Sequence, residues 1–383
     1  MTGGGPSGGL TVLWALRSPC DLACRYCYFG TMDEHRLAPP DQPGALSHLA
    51  PDDLDVDDIL AFVATLPDSG VERVFLAGGE PLIWPHTLAV AAAITALGVR
   101  VVLCTNGIPL NRPSVVAGIL AAGVDAVSVS VDSADAAHHD TYRPARGGHH
   151  GHHDVLSGVR ALLAARDATR RGSTHAAPAA VAGADADLTQ RRIPRVGLYT
   201  VVTTRNLDAI TRVADLAAAL GCDYAVPQPI SLPSGHPLHA ELSLSAADVP
   251  VVGNGLTRLR QTPGVRSPSG SYPERFLTAI AAVEPLPERG CFGGRTLFFV
   301  EPDGSVWDCP SSLRIAATAP ERHRSIRGHS AAEVFHARPG CGDCDLFSRE
   351  CVNMWPLTGF DTLTRPAAEA HATGRRGNFG DRR

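Results

Sequence analysis

Three thiols stand close together near the N-terminus: Cys20, Cys24 and Cys27 in CDLACRYC, spaced C-x3-C-x2-C. They follow an apolar run, residues 10–16, that reads as a strand. Thiolate is the usual ligand of an iron–sulfur cluster. Three such thiolates can hold three irons of a four-iron cube and leave the fourth open. An open metal position marks a site that does chemistry rather than one that only holds a fold. The alternatives are a chance group of buried cysteines or zinc. Zinc sites usually come as paired C-x2-C knuckles, which this spacing fits poorly.

A second group of thiols lies in the C-terminal third. Cys291 and Cys309 bracket C-x12-G-x4-C, with Gly304 in EPDGSVWDC. The PDG triplet predicts a turn between strands at 296–300 and 305–307, which folds the two cysteines toward each other. CGDCDLFSREC adds Cys341, Cys344 and Cys351. The hairpin pair and the C-x2-C pair supply four thiolates, the full ligation of one four-iron cluster. Two pairs also suit zinc. The neighbouring Asp343, Asp345 and Glu350 are hard oxygen ligands that suit such clusters poorly. Cys104 and Cys222 stand alone and are expected to be buried as apolar residues. In HHGHH, the histidines 149, 150, 152 and 153 have no acidic or thiol partner at a fixed offset, so a solvated turn is expected there rather than a metal site.

Elements must bring these groups together. After the first strand, apolar runs at 71–77, 100–104, 126–131, 196–202 and 224–228 read as five more strands. Helical patterns at 56–65, 87–96, 114–121, 155–168 and 208–219 lie between them. Strand and helix in alternation indicate βα units around a parallel sheet, with functional groups at the C-terminal strand ends. Three motifs fall there. AGGEP places Gly78, Gly79 and Glu80 after the second strand, where glycines let the backbone approach a ligand. CTNG places Asn106 after the third, to bond a ribose or close a turn. VSVSVDS carries Ser130 and Asp132 on one side of the fourth by the two-residue period. The stretch 166–192, rich in Ala, Arg and Asp, reads as a surface insertion.

The chain has 383 residues, 44% hydrophobic, enough for a large domain and a smaller one. A net charge of −5 argues against general electrostatic binding to nucleic acid. No apolar run approaches the roughly 20 residues that span a bilayer. MTGGGPSGG lacks the basic and apolar regions of a signal peptide. Ten cysteines in a chain without an export signal point to metal ligation and to the cytoplasm, where thiols stay reduced.

The cysteine spacing, with Tyr26 before the last thiol, resembles the radical S-adenosylmethionine (radical SAM) superfamily. The resemblance implies a SAM-binding 4Fe–4S cluster on Cys20, Cys24 and Cys27, and reductive cleavage of SAM to a 5′-deoxyadenosyl radical that abstracts a substrate hydrogen. It implies an electron donor of flavodoxin or ferredoxin type. It implies an open partial (β/α)6 TIM-like barrel, here at 10–245, joined through linker helices at 246–285 to a small cysteine-rich domain at 286–360. Tails at 1–9 and 361–383 are expected to be flexible and disordered. Gly78, Gly79 and Glu80 match the motif that faces the amino group of SAM. Ser130 and Arg143 match a serine and arginine that hold SAM in sulfatase-maturase-like enzymes. Tyr26, Asn106 and Asp132 complete the expected cofactor-binding set.

The C-terminal cysteines resemble the SPASM and Twitch extensions of that superfamily. A full SPASM domain continues past the C-x2-C pair to two more thiols and a final one. Here Cys351 follows, and VNMW stands where the next is expected. A Twitch-like arrangement with one auxiliary 4Fe–4S cluster is therefore expected, Cys351 being spare or replacing one of the four. Sulfatase-maturing enzymes carry an aspartate after the second hairpin cysteine; here that position is Pro310. The leading substrate class is a ribosomally made peptide, cross-linked or oxidised, with a separate recognition protein as a further partner. The alternatives are a sugar or aminocyclitol oxidised or epimerised in antibiotic assembly, and a non-catalytic metal-binding scaffold.

Overall fold

A computed structural model of the chain describes residues 9–27, 53–145, 148, 150–175, 192–336 and 342–364. Cys341, His149 and the tail segments 1–8 and 365–383 lie outside the described residues. Six strands form one parallel run in sequence order: β1 (Leu10–Arg17), β2 (Val71–Gly78), β3 (Arg100–Thr105), β4 (Ala126–Ser130), β5 (Arg195–Val202) and β6 (Tyr224–Pro229). Helices α1 (Val56–Val63), α2 (Thr87–Ala96), α3 (Pro113–Ala121), α4 (Ala136–Tyr142), α5 (Gly151–His175) and α6 (Ala209–Leu220) alternate with them. Helix α1 starts where Asp55 accepts a hydrogen bond from the Asp58 amide at 2.8 Å, and α6 stops at Gly221, whose φ of 82° an L side chain rarely adopts.

Both faces of the sheet are covered, which is why its strands read as near-continuous apolar runs. Trp14, Leu76, Leu103, Val129 and Leu198 pack outward with the helices, while Leu13, Phe75, Val102, Tyr224 and Val226 face the concave side. The pleat assigns alternate residues to the two cores.

The C-terminal third is joined to this sheet. After α7 (Val249–Leu259) and α8 (Tyr272–Ala281), β7 (Leu286–Arg289) leads to β8 (Leu297–Val300), which pairs parallel with β1. β9 (Ser305–Trp307) and β10 (Arg324–Ser325) continue antiparallel, extending the sheet to nine strands. The PDG turn closes through the Gly304 amide on the Glu301 carbonyl at 2.9 Å, with Gly304 at φ 91°. β11 (Asp343–Phe347) pairs with β7 in a separate two-stranded sheet.

Two expectations are corrected by packing. Residues 166–175 continue helix α5 rather than opening a loop, because Arg166 is buried and bonds Asp223 at 2.8 Å. Asp361–Thr364, placed by sequence in the tail, form the short helix α10 after α9 (Arg349–Thr358). Phe360, between these two helices, enters the concave core edge-on to Phe75 and Tyr224, at 5.0 and 5.4 Å between ring centroids. Asp361 pairs with Arg73 and, at 2.6 Å, with Arg100, near the N-terminal ends of β2 and β3. The segment thus plugs the concave face of the partial barrel. Phe360→Ala is expected to lower stability by about 3–5 kcal/mol, because it empties a fully buried aromatic site. Urea unfolding measures this; a loss below about 1 kcal/mol would mean the plug is peripheral.

Candidate functional site

The cysteine loop leaves the C-terminal end of β1 and is gripped from both sides. On one side the Gly79 amide donates to the Arg17 carbonyl and the Glu80 amide to the Pro19 carbonyl, both at 2.8 Å. A Cβ on Gly79 would collide with the Ser18 and Pro19 carbonyls, and Gly78 has φ 134°. The two glycines therefore allow the close approach of two backbones. On the other side the Ala23 amide donates to Pro144 O and the Arg25 amide to Tyr142 O, each at 2.9 Å.

Glu80 turns inward. It is fully buried and accepts from Leu82 N at 2.9 Å, Thr105 Oγ1 at 2.9 Å and Asn106 N at 2.6 Å. It ties the GGE turn to the end of β3. Burial, with Asp21 nearby, pushes its carboxyl up to about 8 against those hydrogen bonds. Asn106 closes its turn by accepting from Ile108 N at 2.9 Å, and its Nδ2 donates to Asp21 at 2.6 Å and reaches Cys20 Sγ at 3.8 Å. The turn-closing role expected of it is present in the fold.

Arg143 is held by Asp132. Its Nη1 donates to Asp132 Oδ2 at 3.1 Å, and the Tyr26 hydroxyl donates to the same oxygen at 2.7 Å. The Nε of Arg143 is buried and has no hydrogen-bond partner among the described residues. Ser130 stays in the β4 ladder opposite Tyr199. His139 is buried behind Asp132 and accepts from its amide at 3.3 Å; burial, then Arg143, pushes this imidazole down to about 3. His152, expected in a solvated turn, is buried and bonds the Ser133 carbonyl at 3.1 Å.

The thiols have the chemistry of a metal site. Burial pushes Cys24 up to about 11 and Cys20 higher still, and neighbouring cysteines add to both. Three thiolates here need a cationic centre to be stable together. Among the described residues, no three His, Cys, Asp or Glu side chains converge as the ligands of a single metal ion would.

Four cysteines line one small cavity in the C-terminal third: Cys291, Cys309, Cys344 and Cys351, with Arg314 and Met354. Cys309 follows β9, Cys344 lies on β11 and Cys351 sits in the first turn of α9. Cys291 shares a hydrogen bond with Cys344, which pulls Cys344 down and pushes Cys291 up. Burial raises Cys309 to about 12 and Cys351 to about 11. Glu350 clamps the loop after Cys309, accepting from Ser311 Oγ at 2.8 Å and from Ser312 N at 2.9 Å. Sequence reasoning counted Glu350 only as a poor ligand; the serines that reveal its role lie far along the chain. Asp308 is buried and enclosed by Arg324, by Arg314 at 3.7 Å and by Arg322 at 4.0 Å. A further cavity of about 350 Å³ touches Cys291, Arg295, Tyr272 and Trp355. It adjoins Gly9 and Thr11, at the opposite end of β1 from the cysteine loop.

Comparison with known proteins agrees with this geometry. Residues 19–171 match the model of the radical SAM superfamily. An AdoMet-dependent heme synthase of Methanosarcina barkeri is 26% identical over 311 residues, 78% of this chain and 76% of that protein. GTP 3′,8-cyclase 2 of Mycobacterium tuberculosis is 30% identical over 292 residues, 73% of this chain and 65% of that one. The crystal structure of Streptococcus suis SuiB bound to precursor peptide SuiA superposes with a TM-score of 0.57 at 14% identity, covering 87% of this chain and 66% of that one, a likeness of fold. With the parallel sheet and the thiol loop at the end of its first strand, the family match means that residues 19–171 belong to a radical SAM domain.

Proposed function

We propose that the chain abstracts a hydrogen atom from its substrate by reductive cleavage of SAM, using Cys20, Cys24 and Cys27 as ligands of the SAM-binding cluster. The observation that carries this is the loop itself: three thiols gripped between the GGE turn and residues 142–145. When bound, the cluster and SAM supply the one-electron chemistry and the 5′-deoxyadenosyl radical. The residues of the chain bind, orient and exclude water. Gly78, Gly79 and Glu80 fix the loop, and Arg143 offers its buried Nε to the SAM carboxylate. Arg143→Ala is expected to keep its iron yet bind SAM about tenfold or more weakly, the loss of a charge-assisted contact. Calorimetric titration decides; an unchanged affinity would remove Arg143 from the site.

We further propose that Cys291, Cys309, Cys344 and Cys351 ligate one auxiliary four-iron cluster, and that the substrate is a ribosomally made peptide. The fold shared with SuiB, whose crystal holds a precursor peptide, supports the peptide reading. Asp308, next to Cys309, is enclosed by arginines, and Pro310 stands on the other side, which argues against sulfatase maturation. A small-molecule substrate is the second reading, favoured by the relatives named heme synthase and GTP cyclase. Anaerobic assays with SAM and dithionite separate the two. Peptide-sized fractions should stimulate 5′-deoxyadenosine release. Stimulation confined to metabolite-sized fractions would overturn the peptide reading.

A further inference from the structure

Asp132 sits where four separate segments meet. It is 1% exposed. Its Oδ2 accepts from the Tyr26 hydroxyl at 2.7 Å and from Arg143 Nη1 at 3.1 Å; its Oδ1 accepts from Val201 N at 2.8 Å. Its backbone is held as tightly: the amide donates to His139 Nδ1 at 3.3 Å, and the carbonyl accepts from Asn206 Nδ2 at 2.7 Å. The carboxylate thus accepts three hydrogen bonds from three separate segments of the protein.

We infer that Asp132 is a positioning residue that aims the Arg143 guanidinium and fixes the cysteine loop through Tyr26, so that the SAM-carboxylate site and the thiol loop share one rigid support. The inference rests on the proposed SAM site. Tyr26 lies between Cys24 and Cys27, and its ring stacks on Tyr142 with centroids 6.0 Å apart. Arg143 follows Tyr142 directly. One buried carboxylate thus joins the loop bearing the thiols to the segment bearing the arginine. Its other oxygen is anchored to β5, which the sheet makes rigid. A buried acceptor shared by two donors holds both at a fixed angle, and a charged acceptor does so about twice as strongly as a neutral one. An asparagine cannot replace it. Either its amide meets the Val201 N–H or it meets the Arg143 N–H, and each arrangement sets donor against donor.

The test uses the full chain, reconstituted anaerobically, with SAM as the probe. Iron content, calorimetric affinity and the change SAM makes in the electron paramagnetic resonance spectrum of the reduced cluster are measured. Asp132→Asn should keep its iron, bind SAM about tenfold or more weakly, and show a diminished spectral change. Tyr26→Phe should weaken binding by about threefold, since it removes one of the shared bonds. Asp132→Asn combined with Arg143→Lys should lose less than the product of the single losses, because the two act through one contact. Unchanged affinity in Asp132→Asn, or strictly multiplicative losses in the double variant, would overturn the inference. If Asp132→Asn loses iron, Tyr26→Phe decides: full affinity there sinks the idea, and a threefold loss with iron retained upholds it. A wild type that binds no SAM would instead refute the functional reading.

Discussion

Replacing Cys20, Cys24 and Cys27 together with alanine abolishes 5′-deoxyadenosine production and removes about half of the iron, roughly four of eight atoms. This is the largest effect expected of any change in the chain. Without three thiolates no cube forms at the end of β1, and SAM has no open iron to chelate. The fold should survive. The loop is held by backbone bonds, from Ala23 and Arg25 to Pro144 and Tyr142 and from Gly79 and Glu80 to Arg17 and Pro19, none of which uses sulfur. The variant should therefore keep its unfolding midpoint within a few degrees and retain the auxiliary iron. Chromatography of the products after dithionite reduction gives the answer. Undiminished 5′-deoxyadenosine would end the assignment of these thiols. Loss of all the iron would show instead that the two thiol sites depend on each other.

The parallel sheet was legible because its strands are buried on both faces. A run such as VERVFLAG has no polar alternation to confuse with a surface strand, and Gly and Pro mark its limits. The pairing of β8 with β1 was not legible. β8 has four apolar residues, and a run that short specifies neither partner nor register. The end of α5 was hidden for another reason. Arg- and Ala-rich sequence without an apolar stripe reads as solvated, yet Arg166 is held there by Asp223, a partner far along the chain. The site divides in the same way. Spacing alone singled out the thiols and the GGE turn, since the residues of each are near neighbours in sequence. The roles of Glu80 and Asp132 depend on partners at Thr105, Asn106, Tyr26 and Val201, and only the fold brings those together.

Cys351→Ala should lose about four irons while keeping SAM cleavage at the other site. From sequence this thiol was either spare or a replacement ligand. The fold puts it in the wall of the cavity that Cys291, Cys309 and Cys344 also line. It is buried, and its Sγ lies 3.7 Å from the carbonyl of Leu346, on β11. Burial keeps it protonated without a metal, and a coordinating iron reverses that balance. Its place in the first turn of α9 adds the favourable end of the helix dipole for a thiolate. Reconstituted wild type should hold about eight irons, in two cubes. Iron and sulfide analysis with Mössbauer spectra reads both counts. Full iron in Cys351→Ala would return Cys341 to the ligand set and make Cys351 a packing residue. A wild-type count near twelve would mean two auxiliary clusters, which the four cavity thiols cannot fully ligate.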